Sequence, residues 1–194
     1  MSKQINFSGS LLFFVMTLAL TSTRGLPSQA VQSPDGTVSF ESAVLLVDTY
    51  ATFSTIRFRQ ARYYFDLELP EGIGEPLKKV VIQQRRGSEE IDFRSERTKV
   101  YLGDHRNRGE PLESITTFNE ETGEITVEFS TPIPPGNKVT IGVKPRRNPD
   151  FGGVYLFGVT AFPAGEKSRG LYLGAGRLHF FENFNSSSRH ILDL

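Results

Sequence analysis

The side chains able to do chemistry are few. The 194 residues include no cysteine, which removes disulfides, thiolate nucleophiles, cysteine zinc sites and iron–sulfur clusters. The three histidines are His105, His179 and His190. They are far apart in the chain, and a histidine metal site needs several ligands to converge. His179 stands between Leu178 and Phe180 in a strand-like segment. Its ring therefore faces away from theirs, beside Phe181, as expected of a hydrogen-bonded histidine on a sheet surface. His105 sits in a loop next to Asp104, a weak exposed pair, and His190 lies in a polar tail. The expectation from this set is no metal site and no cofactor. A metal carrier using His105, His179 and acidic residues is the form a metal function would have to take.

Acid–base and nucleophilic chemistry fare no better. Serines are plentiful, but none stands in the GxSxG elbow that exposes a nucleophile. Glu89-Glu90 and Glu120-Glu121 fall in turns. Asp66 and Glu68 share the outer face of one strand, spaced to project side by side, and a glycosidase needs two acids across a cleft. Without a visible cleft they are expected on solvated sheet surface. Gly174-Ala175-Gly176 and Phe151-Gly152-Gly153 lack the spacing and the following helix of phosphate loops. No catalytic residue is expected.

Positive charge offers more. Basic residues cluster at Arg85-Arg86, at Arg94 with Arg97 and Lys99, at Arg106 with Arg108, and at Arg146-Arg147. Acidic neighbours dilute most of these, but Arg146-Arg147 has only Asp150 nearby. Arg146, Arg147 and Asn148 are therefore the candidate anion-binding residues, for a polysaccharide sulfate, a lipid headgroup or an acidic protein partner. Basic and acidic residues balance at 22 each, so no global footprint for nucleic acid exists.

The elements that position these groups are strands. Tyr63, Phe65, Leu67 and Leu69 alternate with Tyr64, Asp66 and Glu68 in a half-buried strand. Val80–Gln84, Ile91–Phe93 and Val100–Leu102 predict further short strands. Ile115–Phe118 and Ile125–Phe129 predict a hairpin across Asn119–Gly123, with Glu124, Thr126 and Glu128 outward. Pro135-Gly136 fits the centre of a type II turn before the strand carrying Val139, Ile141 and Val143. Val154–Phe162 has no charge and reads as a strand buried on both faces; Arg177–Glu182 is the last strand. Residues 48–59 are ambiguous between strand and a turn of helix. No segment keeps a helical period over a dozen residues. The expectation is an all-β fold, a single antiparallel β-sandwich of about seven to nine strands, Ig-like in general architecture. A short helical turn or two is placed in the 50s, near Leu77 or near 166–174.

The first thirty residues read as an address. Lys3 precedes the apolar run Leu11–Leu20, which as a helix would span about 15 Å, half of a roughly 30 Å hydrocarbon core. Small residues at Ser28 and Ala30 predict signal cleavage after Ala30; an uncleaved N-terminal anchor is the alternative. The organisation expected is a signal peptide over 1–30, a β-sandwich domain over 31–182 and a polar tail over 183–194, with no transmembrane span after cleavage.

Three segments in order, YYFDLELPEGIGEPLKKVVIQQ (63–84), PPGNKVTIGVKPRRNPDFGGVYLFGVTAFPAGE (134–166) and LYLGAGRLHFF (171–181), resemble the exported cyanobacterial proteins grouped as domain of unknown function 2808. The resemblance covers about 40 to 181 and includes the leader. It implies cyanobacterial origin, export, one domain and no assigned activity, and it carries no catalytic or binding residues.

Together these features predict a non-enzymatic exported module that binds or supports an envelope component. An exported glycan hydrolase is the alternative, and a periplasmic metal carrier a third. The periplasm, the cell surface and the thylakoid lumen are reached by similar signals.

Overall fold

The strand Tyr63–Leu69 is the centre from which one half of the molecule is built. In the computed structural model, which describes residues 35–182, its odd-numbered side chains Tyr63, Phe65, Leu67 and Leu69 are all sealed in the core. The leader, the cleavage site and the tail from 183 onward lie outside the described residues.

Ten strands run in chain order: β1 Leu45–Ala51, β2 Tyr63–Leu69, β3 Leu77–Arg86, β4 Lys99–Gly103, β5 Arg108–Leu112, β6 Ser114–Asn119, β7 Glu124–Ile133, β8 Asn137–Val143, β9 Gly153–Pro163 and β10 Leu171–Phe180. They form two five-stranded sheets, β1-β2-β8-β4-β5 and β10-β9-β3-β7-β6, with every pairing between named strands antiparallel. The expected hairpin is β6–β7, with Phe118 opposite Ile125. Gly136 has φ of 79°, the left-handed conformation its turn requires.

The sheets face each other across one aromatic-rich core. The Phe157 ring of β9 lies 6.0 Å from both Tyr63 and Phe65 of β2, and Phe180 of β10 lies 5.5 Å from Tyr63. Alternation puts Val139, Ile141 and Val143 of β8 on one side, and Val80, Ile82, Val127 and Phe129 on the other. The sandwich closes along one side where β1 meets β10. A Cβ on Gly176 would fall 2.3 Å from Thr49 Oγ1, so only glycine permits that approach.

Several expectations are corrected. The described residues form ten strands rather than about seven to nine. The helical turns are short 3-10 turns at Glu71–Ile73 and Ser95–Arg97. Residues 52–62 form an irregular loop after β1, and Ile91–Phe93 contributes only one bridge, Phe93 to Pro145. The loop expected around His105 is short, since β5, an edge strand that tolerates Pro111, begins at Arg108. The stretches buried on both faces are β2 and Val139–Val143 of β8, not Val154–Phe162. In β9, Tyr155, Phe157, Val159 and Ala161 are buried, but Val154, Leu156 and Phe162 are half-buried, with Lys79 Nζ 4.3 Å from the Phe162 ring centre. In β2, Tyr64 and Asp66 are also buried. Their face is roofed by the β4–β5 connection and by Tyr50, a cover that alternation within the strand does not report.

Candidate functional site

Arg146 and Arg147 leave the end of β8, where the chain is held by two backbone bonds to the segment before β4. Arg146 donates its N–H to the Asp92 carbonyl at 2.9 Å, and Arg94 donates to the Lys144 carbonyl at 2.8 Å. This docking brings Arg94 beside the arginine pair. Arg59, from the loop before β2, joins them because Asn148 donates its backbone N–H to the Phe58 carbonyl at 2.8 Å. The result is a cleft of about 480 Å³ lined by Arg59, Arg94, Arg146 and Arg147 together with Glu89, Glu90 and Asp92.

The charges of this cleft are unequally engaged. Asp150 accepts from Arg147 at 2.6 Å and from Arg57 Nε at 3.2 Å. Arg57 has φ of 58°, unusual for a residue with a side chain, and its N–H is tied to the Pro149 carbonyl. Glu89 Oε1 accepts the backbone N–H groups of Asp150 and Phe151. Arg146 reaches Glu120 only at 3.9 Å. Among the described residues, Arg59 and Arg94 form no ion pair. Two guanidiniums are thus uncommitted, on rigidly braced backbone.

Asn148 sits beneath the arginines rather than among the exposed groups. It is fully buried, its Nδ2 donates to the Phe53 and Thr55 carbonyls at 2.9 and 2.7 Å, and its Oδ1 accepts the Tyr63 hydroxyl at 3.0 Å. Its side chain is spent on fixing the loop. Of the other basic clusters, Arg85 and Arg86 line an adjoining cleft that shares the Glu89–Asp92 wall. Arg106 lies on the β4–β5 connection and Arg108 opens β5, away from this cleft. Lys144 donates to the Arg59 and Ala61 carbonyls, and burial, with Arg62 and Arg94 adding to it, pulls its ammonium below the ordinary lysine range.

A second assembly lies on the outer face of β1 and β2. Asp66 is not on solvated surface as expected; it is 3% exposed. His105 folds over it from the β4–β5 connection, its backbone N–H donating to Asp66 Oδ2 at 3.1 Å and its Nδ1 meeting the same oxygen. The Thr140 hydroxyl lies 2.8 Å from Asp66 Oδ1 and 2.9 Å from the Gly103 carbonyl, and its single proton serves one of them. Asp48, opposite Asp66 in the β1–β2 register, places Oδ2 3.8 Å from His105 Nδ1. Tyr50 covers the imidazole at 4.4 Å and stacks on Tyr64 at 5.0 Å. Its hydroxyl accepts from Arg108 at 3.3 Å, and burial raises the phenol's pKa against that opposing bond.

Glu68, the supposed partner of Asp66, pairs instead with Lys138 at 3.6 Å and does not line the cleft beside Asp66. His179 packs its ring 4.1 Å from Phe181, as the strand alternation predicts. It is not part of the group around His105. His190 lies outside the described residues. Sequence reasoning missed Asp48 and Arg59. Both sit in or beside the ambiguous 48–59 segment, and only strand register or loop docking gives them partners.

A family model described as a protein of unknown function, DUF2808, matches residues 37–180. No curated protein matches the chain. Among solved structures, the collagen-binding domain of a Staphylococcus aureus adhesin is similar, with 12% identity and a TM-score of 0.37, over 69% of this chain and 97% of that one. The C-terminal domain of the Streptococcus pyogenes antigen I/II-family protein AspA has 16% identity and a TM-score of 0.40, over 65% and 41%. The group B streptococcus pilus 2b backbone protein has 12% identity and a TM-score of 0.41, over 65% and 56%. Among the described residues no helix is long and apolar enough to cross a membrane.

Proposed function

The chain belongs to the DUF2808 family of proteins of unknown function, and from that premise we propose that it is an exported, non-enzymatic binding module of a cyanobacterial cell envelope, with the arginine cleft as its binding face. One observation carries this reading: Arg59, Arg94, Arg146 and Arg147, from three separate chain segments, line one cleft. The apolar leader, with its cleavage site after Ala30, supports export.

The lining favours an acidic polysaccharide. Guanidiniums recognise sulfate or carboxylate groups with two parallel N–H donors. Glu90 and Asp92, which also line the cleft, can accept hydrogen bonds from sugar hydroxyls. A lipid headgroup surface would be better served by an outward basic face without carboxylates.

The test compares capture of envelope polysaccharide by the wild-type protein and by an Arg146→Glu/Arg147→Glu variant, with Arg94→Ala as a third protein. Capture by wild type, lost in the double variant, weakened in Arg94→Ala and falling with salt, supports the reading. Equal capture by all three, or capture only of lipid vesicles, retires it. The glycan-hydrolase alternative has no support from Asp66 and Glu68, which point to different partners.

A further inference from the structure

The β1–β2 register sets Asp48 directly opposite Asp66. Like charges at facing positions of paired strands repel, and Asp66 is almost completely removed from water. A buried carboxylate beside another is retained where a cation or proton compensates both. The structure supplies a third group at that point. His105 Nδ1 lies against Asp66 Oδ2 and 3.8 Å from Asp48 Oδ2, and the three ligand atoms all fall within 4.8 Å of one another.

We propose that Asp48, Asp66 and His105 form a site for a divalent transition-series cation that fastens the β4–β5 connection onto β1 and β2. Two carboxylates and a neutral imidazole give a ligand charge of about −2 that a divalent ion neutralises, and this mixed nitrogen–oxygen set suits zinc or manganese better than calcium. Three protein ligands leave positions for water. The adjoining cleft of about 240 Å³, lined also by Val47, Asp104, Arg106 and Lys138, gives room for it. Asp48 and His105 are partly exposed, with side-chain accessibilities of 46% and 21%, which leaves an entry path.

The surroundings orient the ligands. Thr140 and the His105 backbone N–H hold the Asp66 carboxylate. Gly103, at φ of 87°, makes the turn that returns His105 to the sheet, and a Cβ there would fall 2.2 Å from the Asn107 carbonyl oxygen. Arg106 Nε lies 3.3 Å from His105 Nε2. An ion on Nδ1 puts the proton on Nε2, so this exposed guanidinium swings away when the site fills. Arg106 is therefore a competitor of the ion rather than a supporter.

Calorimetric titration of the purified protein with Zn2+, and with Ca2+ alongside, tests the site. The expected result is one zinc per chain, weakened at least about tenfold by Asp48→Asn and by His105→Gln, unchanged by His179→Gln, and unchanged or tightened by Arg106→Ala. Circular dichroism of each variant establishes that it is folded, and Asp48, at the rim, is the substitution least able to disturb the core. Zinc should also raise the melting temperature of wild type and not of Asp48→Asn. Absence of saturable zinc binding to wild type, equal binding by folded Asp48→Asn, dependence on His179, or weakening by Arg106→Ala would each overturn the assignment. The outcome is independent of the arginine cleft, which shares none of these residues.

Discussion

The Tyr63 hydroxyl donates a 3.0 Å hydrogen bond to Asn148 Oδ1, tying the core strand β2 to the residue that follows the arginine pair. Both partners have no solvent exposure. The binding face is thereby anchored to the hydrophobic core through one polar contact. Asn148→Ala strands the Tyr63 hydroxyl and the Phe53 and Thr55 carbonyls. The expected loss is about 2–4 kcal/mol: the buried Tyr63 hydroxyl without its acceptor costs roughly 1–3 kcal/mol, and the two carbonyls, part-buried and open to water, add about 1 kcal/mol between them. Urea denaturation measures it, and the variant should lose ligand capture together with stability.

Tyr63 also sets an alkaline limit. Burial pushes its phenol far above the ordinary tyrosine range, with Tyr155 and Glu89 adding to the effect. The unfolded chain releases this proton near pH 10 while the folded chain keeps it. The contribution is fully present below about pH 10 and falls as pH rises above it, by at most about 1.4 kcal/mol per pH unit. Tyr63→Phe should be less stable at pH 7 but lose stability less steeply between pH 10 and 11, as read from urea midpoints.

Phe157 and Phe162 lie on opposite faces of β9, and their truncation should separate the faces energetically. Phe157 is 1% exposed and meets Tyr63, Phe65 and Phe93. Phe157→Ala is expected to cost about 3–5 kcal/mol. Phe162 is half-buried under Lys79, and Phe162→Ala should cost about 1 kcal/mol. Similar losses at both positions would mean that the outer face is covered after all.

The β1–β10 seam makes a paired test. Gly176→Ala forces a methyl against Thr49, which should destabilise by about 1–3 kcal/mol. Thr49 Oγ1 is buried without a hydrogen-bond partner. Thr49→Ala should therefore be close to neutral, and combining the two substitutions should recover part of the Gly176→Ala loss. A thermodynamic double-mutant cycle reads the coupling.

Substitutions in the arginine cleft should leave the fold intact. Arg147 is half-exposed in its pair with Asp150, and such pairs contribute about 0–1 kcal/mol. Arg147→Ala should shift the urea midpoint little while weakening capture of an acidic polysaccharide. A large stability loss would mean that the charge belongs to the architecture and not to binding.

Some features of the molecule were legible from local pattern. The alternation of Tyr63, Phe65, Leu67 and Leu69 places the core face of β2, and Leu178 and Phe180 do the same for β10. His179 is placed beside Phe181 by the same period of two. What local pattern does not report is what a distant segment lays over or under a residue. Asp66 alternates as an outward residue, and it is outward from the sandwich core. It is buried because His105, 39 residues later, folds over it. Asn148, read as part of an anion patch, spends its side chain on carbonyls more than 90 residues earlier in the chain.

The class of fold, the cysteine-free chemistry and the arginine pair follow from local pattern, because side-chain period and residue type are properties of neighbouring positions. Tertiary structure alone decided that Arg59 and Arg94 join Arg146 and Arg147, and that Asp48, Asp66 and His105 meet. Both gatherings depend on strand register and loop docking, which are set by the free energy of the whole packed sandwich. A one-residue slip of β1 would carry Asp48 to the opposite face of its sheet, with no change in composition or local spacing.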